Sequence, residues 1–304
     1  MLSLLQDRAY GALLGLAVGD ALGTTLEFEE RDELPHHTEM LGGGPFDLKP
    51  GQWTDDTSMA IALAESLIAN PKFDATDLMQ RFVRWAEHGD YSCTGTCFDI
   101  GITTRLALSQ FEKTGNPFSG SDDEDSAGNG SIMRIAPVAI LTASDPALAR
   151  KLAADQGRVT HAAPVCRQAC LFLVDVLRSL IKGDVDNAFR PRWPDAYPAI
   201  EEIAMGTYKS KSRDQISSSG YVVHTLEAAL WAVTHTNSFE EALVLAVNLG
   251  GDADTVGAVT GQIAGARYGL SAIPERWLEP LAWRTKLETL AADLNQMDKP
   301  FWAR

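Results

Sequence analysis

No stretch of the chain alternates apolar and polar residues over strand length, and no β-branched run stands out, which argues against a sheet as the organising layer. Rossmann, P-loop and Gly-x-Ser-x-Gly signatures are also missing, so the common dinucleotide, nucleoside-triphosphate and serine-hydrolase sites have no sequence support. Basic residues are scarce, with 26 Lys and Arg against 41 Asp and Glu and a formal charge of -15. That field repels nucleic acid and anionic membranes at long range, and no nucleic-acid partner is expected. No apolar run approaches the roughly 18 residues a membrane helix needs. Asp7 and Arg8 interrupt Met1 to Tyr10, where a signal segment would lie, so the expected compartment is the cytoplasm, with no membrane partner.

Cysteine is sparse as well. Cys93, Cys97, Cys166 and Cys170 form two C-x3-C pairs, which invites a structural zinc. Zinc pairs more often sit on tight knuckles, whereas Cys166 and Cys170 fall one turn apart on an apolar helix, so buried free thiols are the better reading. A chain of 304 residues that is 45% hydrophobic buries a large core without a disulfide framework.

What is present is helical periodicity. Asp7 to Val18 reads as a helix in which Gly11, Gly15 and Gly19 recur every four residues, and Gly257, Gly261, Gly265 and Gly269 repeat the pattern. Each glycine costs about 1 kcal/mol of helix propensity relative to alanine, so something approaches each stripe closely, either the other stripe or another element. Asp74 or Thr76 caps a helix with Leu78, Phe82, Val83 and Trp85 on one face, and Gly101 to Phe111 gives another. Ser144-Asp145-Pro146 opens a helix that stops at Gly157, Cys166 to Lys182 forms a long apolar one, and a linker runs from Arg190 to Pro198. A helix then runs to Val233, and Ser238 with Glu241 makes a capping box for the next. Gly115 to Gly128, with Asp122-Asp123-Glu124-Asp125, reads as a solvated mobile loop. The expected fold is all-α, a compact single domain over 1-304.

The polar knot Trp53-Thr54-Asp55-Asp56-Thr57-Ser58-Met59 opens directly into the apolar run Ala60 to Ala69. One reading is helix capping by Thr54 or Asp55, with Asp56 favouring the positive end of the dipole. A second copy, Gly250-Gly251-Asp252-Ala253-Asp254-Thr255, supports another: four carboxylates and two hydroxyls form an all-oxygen ligand set of the kind Mg2+ or Mn2+ prefers. Glu27, between Leu26 and Phe28, has the apolar neighbours that raise a carboxyl pKa for acid-base work. Gly128-Asn129-Gly130-Ser131 offers backbone N–H groups to an anion, although such a loop alone is not specific.

Together Gly15 to Gly23 with Glu27, Trp53 to Thr57, Gly128 to Arg134 and Gly250 to Thr255 resemble the ADP-ribosylglycohydrolase family, including its dinitrogenase reductase-activating type, in order and spacing over nearly the whole chain. The resemblance implies an all-α fold, two divalent ions (Mg2+ or Mn2+), and hydrolysis of the N-glycosidic bond between ADP-ribose and a protein arginine. Its partners would be an ADP-ribosylated protein and ADP-ribose. By position, Thr54, Asp55, Asp56, Asp252, Asp254 and Thr255 match the metal ligands and Glu27 the catalytic glutamate. Gly128, Asn129, Gly130 and Ser131 match the phosphate-binding loop, and Met133 its continuation toward the ligand. His161 resembles the histidine beside the ligand, and Tyr221 the aromatic platform for adenine. Nitrogenase-regulating relatives carry a functional aspartate in the loop Asp90 to Asp99, where Ser92 falls at that position and Asp90 and Asp99 lie only near it.

The residue types fit this chemistry without the family name. Cleavage at a ribosyl C1 passes through an oxocarbenium-like state that needs oriented sugar hydroxyls and an activated water. Hydrolysis of another linkage such as O-linked serine, a metal-dependent phosphoesterase, and an inactive ADP-ribose-binding protein are the alternatives.

Overall fold

The structure, a computed structural model, describes residues 2–190 and 197–298. Most of the linker read from Arg190 to Pro198 lies outside the described residues. The helices are α1 (Leu4–Gly23), α2 (Asp55–Ala69), α3 (Ala75–His88), α4 (Ile102–Thr114), α5 (Ala136–Leu141), α6 (Pro146–Arg158) and α7 (Pro164–Lys182). They continue as α8 (Val185–Ala188), α9 (Pro198–Met205), α10 (Val222–Thr234), α11 (Phe239–Val247), α12 (Ala253–Tyr268), α13 (Glu275–Leu278) and α14 (Arg284–Met297). No β-strand occurs among the described residues, as the absence of alternation implies. Strand-like pairing is confined to isolated bridges, among them Ser121 with His161 and Gly128 with Tyr221.

The two glycine stripes meet each other. Gly11, Gly15, Gly19 and Gly23 on α1 lie against Gly265, Gly261, Gly257 and Ala253 on α12, so the helices run antiparallel with their backbones in contact. A methyl group on Gly15 or Gly261 would overlap the carbonyl oxygen of its opposite number. Gly269, the last of the second stripe, instead sits beyond the helix end at φ +92, beside the Asp7 carboxylate. This pair forms the axis of one hydrophobic cluster that extends from Ala9 to Leu294, with α7, α10, α11 and α14 packed around it.

The segment Leu4–Leu26 overturns one expectation. By length and mean hydropathy, 1.3, it is long and apolar enough to cross a membrane, because glycine and alanine dilute its apolarity without adding charge. Its most apolar stretch is 89% buried inside the protein, which is how a core helix satisfies the same criterion.

Local start signals operate largely as read. The Asp74 side chain accepts from the N–H groups of Thr76 and Asp77, and Asp145 does the same for Ala147 and Leu148. The box at Ser238 is only half formed: Ser238 accepts from Glu241 N–H, but the Glu241 carboxylate reaches back to Asn237 N–H rather than to Ser238. The acidic loop is anchored at its start, where Ala162 N–H donates to the Ser121 carbonyl.

Candidate metal centre and ligand cavity

Antiparallel packing of α1 and α12 brings the C-terminal end of one beside the N-terminal end of the other, and α2 begins at the same place. The link to α2 is Asp20, wholly buried on α1. Its Oδ1 accepts from the Thr54 N–H and hydroxyl, each at 2.9 Å, and its Oδ2 accepts from the Thr57 N–H at 3.0 Å and hydroxyl at 2.6 Å. Asp20 therefore caps α2 from another helix. The capping role read for Thr54 or Asp55 is not the one observed, since Thr54 occupies the N-cap without making a side-chain cap bond. Its hydroxyl instead lies within reach of Asp20, of Asp254 at 3.1 Å and of Asp56 at 3.5 Å.

Around this point the carboxylates gather. One oxygen each from Asp55, Asp56 and Asp254 lies within 4.8 Å of the others, and so does one each from Glu27, Asp99 and Asp254. Asp254 belongs to both trios. Asp55 and Asp56 occupy the first turn of α2 and Asp254 that of α12, where the helix dipoles offset part of the repulsion. Thr255 hydroxyl reaches Asp56 at 3.4 Å, and Asp252 accepts from Asn129 Nδ2 at 2.6 Å.

Burial and mutual repulsion push these acids up. Glu27 is raised to about 10, first by burial and then by Asp99 and Asp252. Asp99 is raised to about 7 by burial, and Asp20 to about 6 by burial against its four hydrogen bonds. Asp55, Asp56 and Asp254 are raised well above the carboxylate range, again with burial as the largest cause. Protons hold such a cluster together, and Glu27 and Asp99 each bring an oxygen to the trio they form with Asp254. Phe28 contributes less desolvation than its sequence position implies, because it stands 67% exposed on a left-handed backbone, φ +63. Its N–H donates to Gly251 and Glu29 O accepts from Gly251 N–H, so the loop ahead of α12 pins Glu27 in place.

Oδ1 of Asp56, Oδ1 of Asp254 and Oε2 of Glu27 are buried without a hydrogen-bond partner. Buried polar oxygens are ordinarily satisfied, and three orphans on one carboxylate cluster are what a hard cation would complete. The donor set fits divalent ions.

Above the cluster opens a cavity of about 550 Å³. Glu27, Asp55, Asp99, Asp252 and Thr255 form its floor side, Gly128, Asn129, Gly130 and Met133 line it from the glycine loop, and His161 lines it from the connection between α6 and α7. The first turn of α4, Ile102 to Arg105, makes a further wall. Thr54, Asp56 and Asp254 lie beneath, fully buried or nearly so. Two of the predicted residues stand apart from the walls. Ser131 is wholly buried behind its loop, and Tyr221, half-buried, sets its ring edge-on to His224 at 5.0 Å while its backbone bridges to Gly128.

The loop Asp90 to Asp99 requires a correction. Asp99 enters the carboxylate cluster, at φ +57, whereas Ser92 bonds within its own loop to Thr94 and Asp90 pairs with Arg84. Asp20 and Asp99, and the α4 wall from Ile102 to Arg105, are parts of the site that the sequence pattern did not single out as such. None of the four cysteines forms a disulfide; Cys166 and Cys170 are buried as read, Cys93 and Cys97 are half-buried, and burial raises each thiol.

Residues 1–301 match the family model described as ADP-ribosylglycohydrolase. The chain belongs to the ADP-ribosylglycohydrolase family. It is 49% identical to the ADP-ribosylarginine hydrolase Tri1 of Serratia proteamaculans over 96% of this chain and 80% of that one. The ADP-ribosyl-[dinitrogen reductase] glycohydrolase of Rhodospirillum rubrum is 38% identical over 93% of both chains. A solved structure titled ADP-ribosylglycohydrolase-related protein complex superposes with a TM-score of 0.86 at 43% identity, covering 98% of this chain and 100% of that one. This ADP-ribosylglycohydrolase is thus a hydrolase of glycosidic bonds to ADP-ribose, and its acidic cluster is where a metal would bind.

Proposed function

We propose that the protein removes ADP-ribose from arginine side chains of modified proteins, using a pair of Mg2+ or Mn2+ ions. The observation that carries this reading is the position of Asp254, common to two carboxylate trios beside a cavity walled by a glycine loop. Relatives whose names specify ADP-ribosylarginine hydrolysis support the choice of acceptor.

Asp55, Asp56, Asp254, Asp252, Thr54 and Thr255 would hold the ions, with Asp99 beside them. Bound divalent ions supply positive charge that neutralises the cluster, orients the ribose hydroxyls and acidifies water. The Gly128 to Gly130 loop, having no side chains beyond Asn129, lets the ligand approach the backbone. Asn129 in turn orients Asp252. With that positive charge beside it Glu27 would be ionised, and it would accept a proton from the attacking water, whose oxygen bonds to ribose C1 as the C1–N bond breaks. The leaving guanidine nitrogen keeps the electron pair and takes a proton back.

Release of ADP-ribose from arginine-linked and serine-linked peptides tests the acceptor. Cleavage of the arginine linkage at least about a hundredfold faster, within the range of acid-base effects, is expected; a preference for serine would overturn that choice.

A further inference from the structure

Behind the cavity wall lies a polar chain that the reaction itself does not use. Arg134 is wholly buried, and its guanidinium is held by neutral groups: Gln156 Oε1 at 3.0 Å, Gln156 O at 2.9 Å, Met59 Sδ at 3.7 Å, and the face of Phe82 at 4.8 Å. Its Nη2 also donates to Thr160 Oγ1 at 2.8 Å. Thr160, itself fully buried, has one further polar neighbour, Nδ1 of His161 at 2.9 Å.

The proton positions are set by the donors and acceptors each group carries. A guanidinium only donates, so Thr160 Oγ1 accepts on that side, and its single O–H is free to point at His161. If Nδ1 carried the proton instead, the Thr160 hydroxyl would be a buried donor with no acceptor among the described residues. The satisfied arrangement leaves Nδ1 as the acceptor and puts the ring proton on Nε2. That nitrogen lies against Gly128 and Gly130, where any Cβ would crowd the ring, and His161 lines the cavity. A doubly protonated ring is disfavoured by burial and by Arg134 behind it.

We propose that Arg134 and Thr160 are positioning residues that lock His161 in its Nε2–H tautomer, so that the cavity presents a fixed, uncharged N–H donor to a phosphate or sugar oxygen of the ADP-ribosyl group. The tautomer is dictated by the protein alone; the ligand assignment rests on the proposed function. Thr160 never touches the ligand, yet it decides whether the cavity shows a donor or a lone pair.

Nitrogen-15 NMR of histidine-labelled full-length protein without ligand reads the tautomer directly, and ADP-ribose calorimetry on the same samples reads its use. The wild type is expected to carry the proton on Nε2, T160V to lose that preference and bind ADP-ribose about tenfold more weakly, and T160S to restore both. A wild-type ring protonated on Nδ1, or a T160V protein that keeps the Nε2–H form, would overturn the lock. Loss of the tautomer in T160V with unchanged affinity would overturn the donor's role. Failure of the wild type to bind ADP-ribose at all would overturn the ligand assignment and with it the functional reading, while the spectrum would still decide the tautomer. If T160V does not fold, the wild-type spectrum alone remains decisive for the lock.

Discussion

Asp20 on α1 takes both the N–H and the hydroxyl of Thr57 on α2 with one oxygen, at 3.0 and 2.6 Å. With its other oxygen it takes the same two groups of Thr54. The carboxylate that starts α2 thus comes from outside α2, which frees Thr54 to face Asp254. Asp20→Asn substitutes an N–H donor for one acceptor oxygen in a ring of donors. Lost charge-assisted hydrogen bonds cost about 1.5 to 3 kcal/mol each, so a clear drop in melting temperature is expected, together with at least about tenfold weaker divalent binding. Calorimetric titration with Mn2+ measures the second effect; unchanged metal affinity would separate Asp20 from the centre.

The α1–α12 contact makes an equally local prediction. Gly261→Ala places a methyl 1.9 Å from the Gly15 carbonyl oxygen, so one backbone must shift away from the other. Overpacking of this kind costs roughly 1 to 3 kcal/mol and sometimes more. Denaturant unfolding should show a loss at the upper end of that range, and a variant as stable as the parent would mean that the helices can separate.

These two relationships differ in how far they were legible beforehand. Glycines at every fourth position announce a flat helical face, but spacing on one helix does not name its partner, and the stripes were compatible with contact elsewhere. The two acid-rich helix starts were legible because both repeat the same residue types before apolar runs. Asp99 was not, since a single residue in a left-handed turn has no periodicity, and its partners Glu27 and Asp254 are distant in the chain. Asp20 was hidden for a similar reason: a cap is sought next to the helix it starts, and this one comes from another helix. Glu241 shows the converse, a correct local motif whose carboxylate moved one residue along to Asn237.

Raised carboxyl pKa values carry a sign for stability. A carboxyl with a higher pKa in the folded state binds its proton more tightly there than in the unfolded chain, whose carboxyls titrate near about 4. Its contribution is present below that value and is lost as pH rises through the folded value. When no cation is bound, Asp99, at about 7, therefore loses its contribution between about pH 4 and neutrality, whereas Glu27, at about 10, goes on losing its own through and above neutrality. Buried His37 and His161, both lowered by burial, act in the opposite direction only below about 6.5. The melting temperature of metal-free protein should consequently fall from about pH 6.5 to about pH 8, and saturating Mn2+ or Mg2+ should flatten or reverse that trend. A metal-free melting temperature that rises across the same interval would contradict the protonated cluster.

Glu27 separates catalysis from binding. Glu27→Gln keeps the shape but removes the titratable group, and general acid-base catalysis contributes about 100- to 10,000-fold. The variant should bind ADP-ribose with near-normal affinity yet release product at least about a hundredfold more slowly in single-turnover experiments at saturating divalent ion. Full activity would take Glu27 out of the mechanism, and joint loss of ligand and metal would make it part of the binding shell.

The central claim is that a divalent-loaded carboxylate centre cleaves the bond between ADP-ribose and arginine. The most direct measurement is product release from an ADP-ribosyl-arginine peptide by metal-free protein, followed chromatographically before and after addition of Mn2+ or Mg2+. Intact ADP-ribose and unmodified arginine peptide are expected only once the divalent ion is present. Equal release in excess chelator, or phosphate in place of ADP-ribose, would contradict the account.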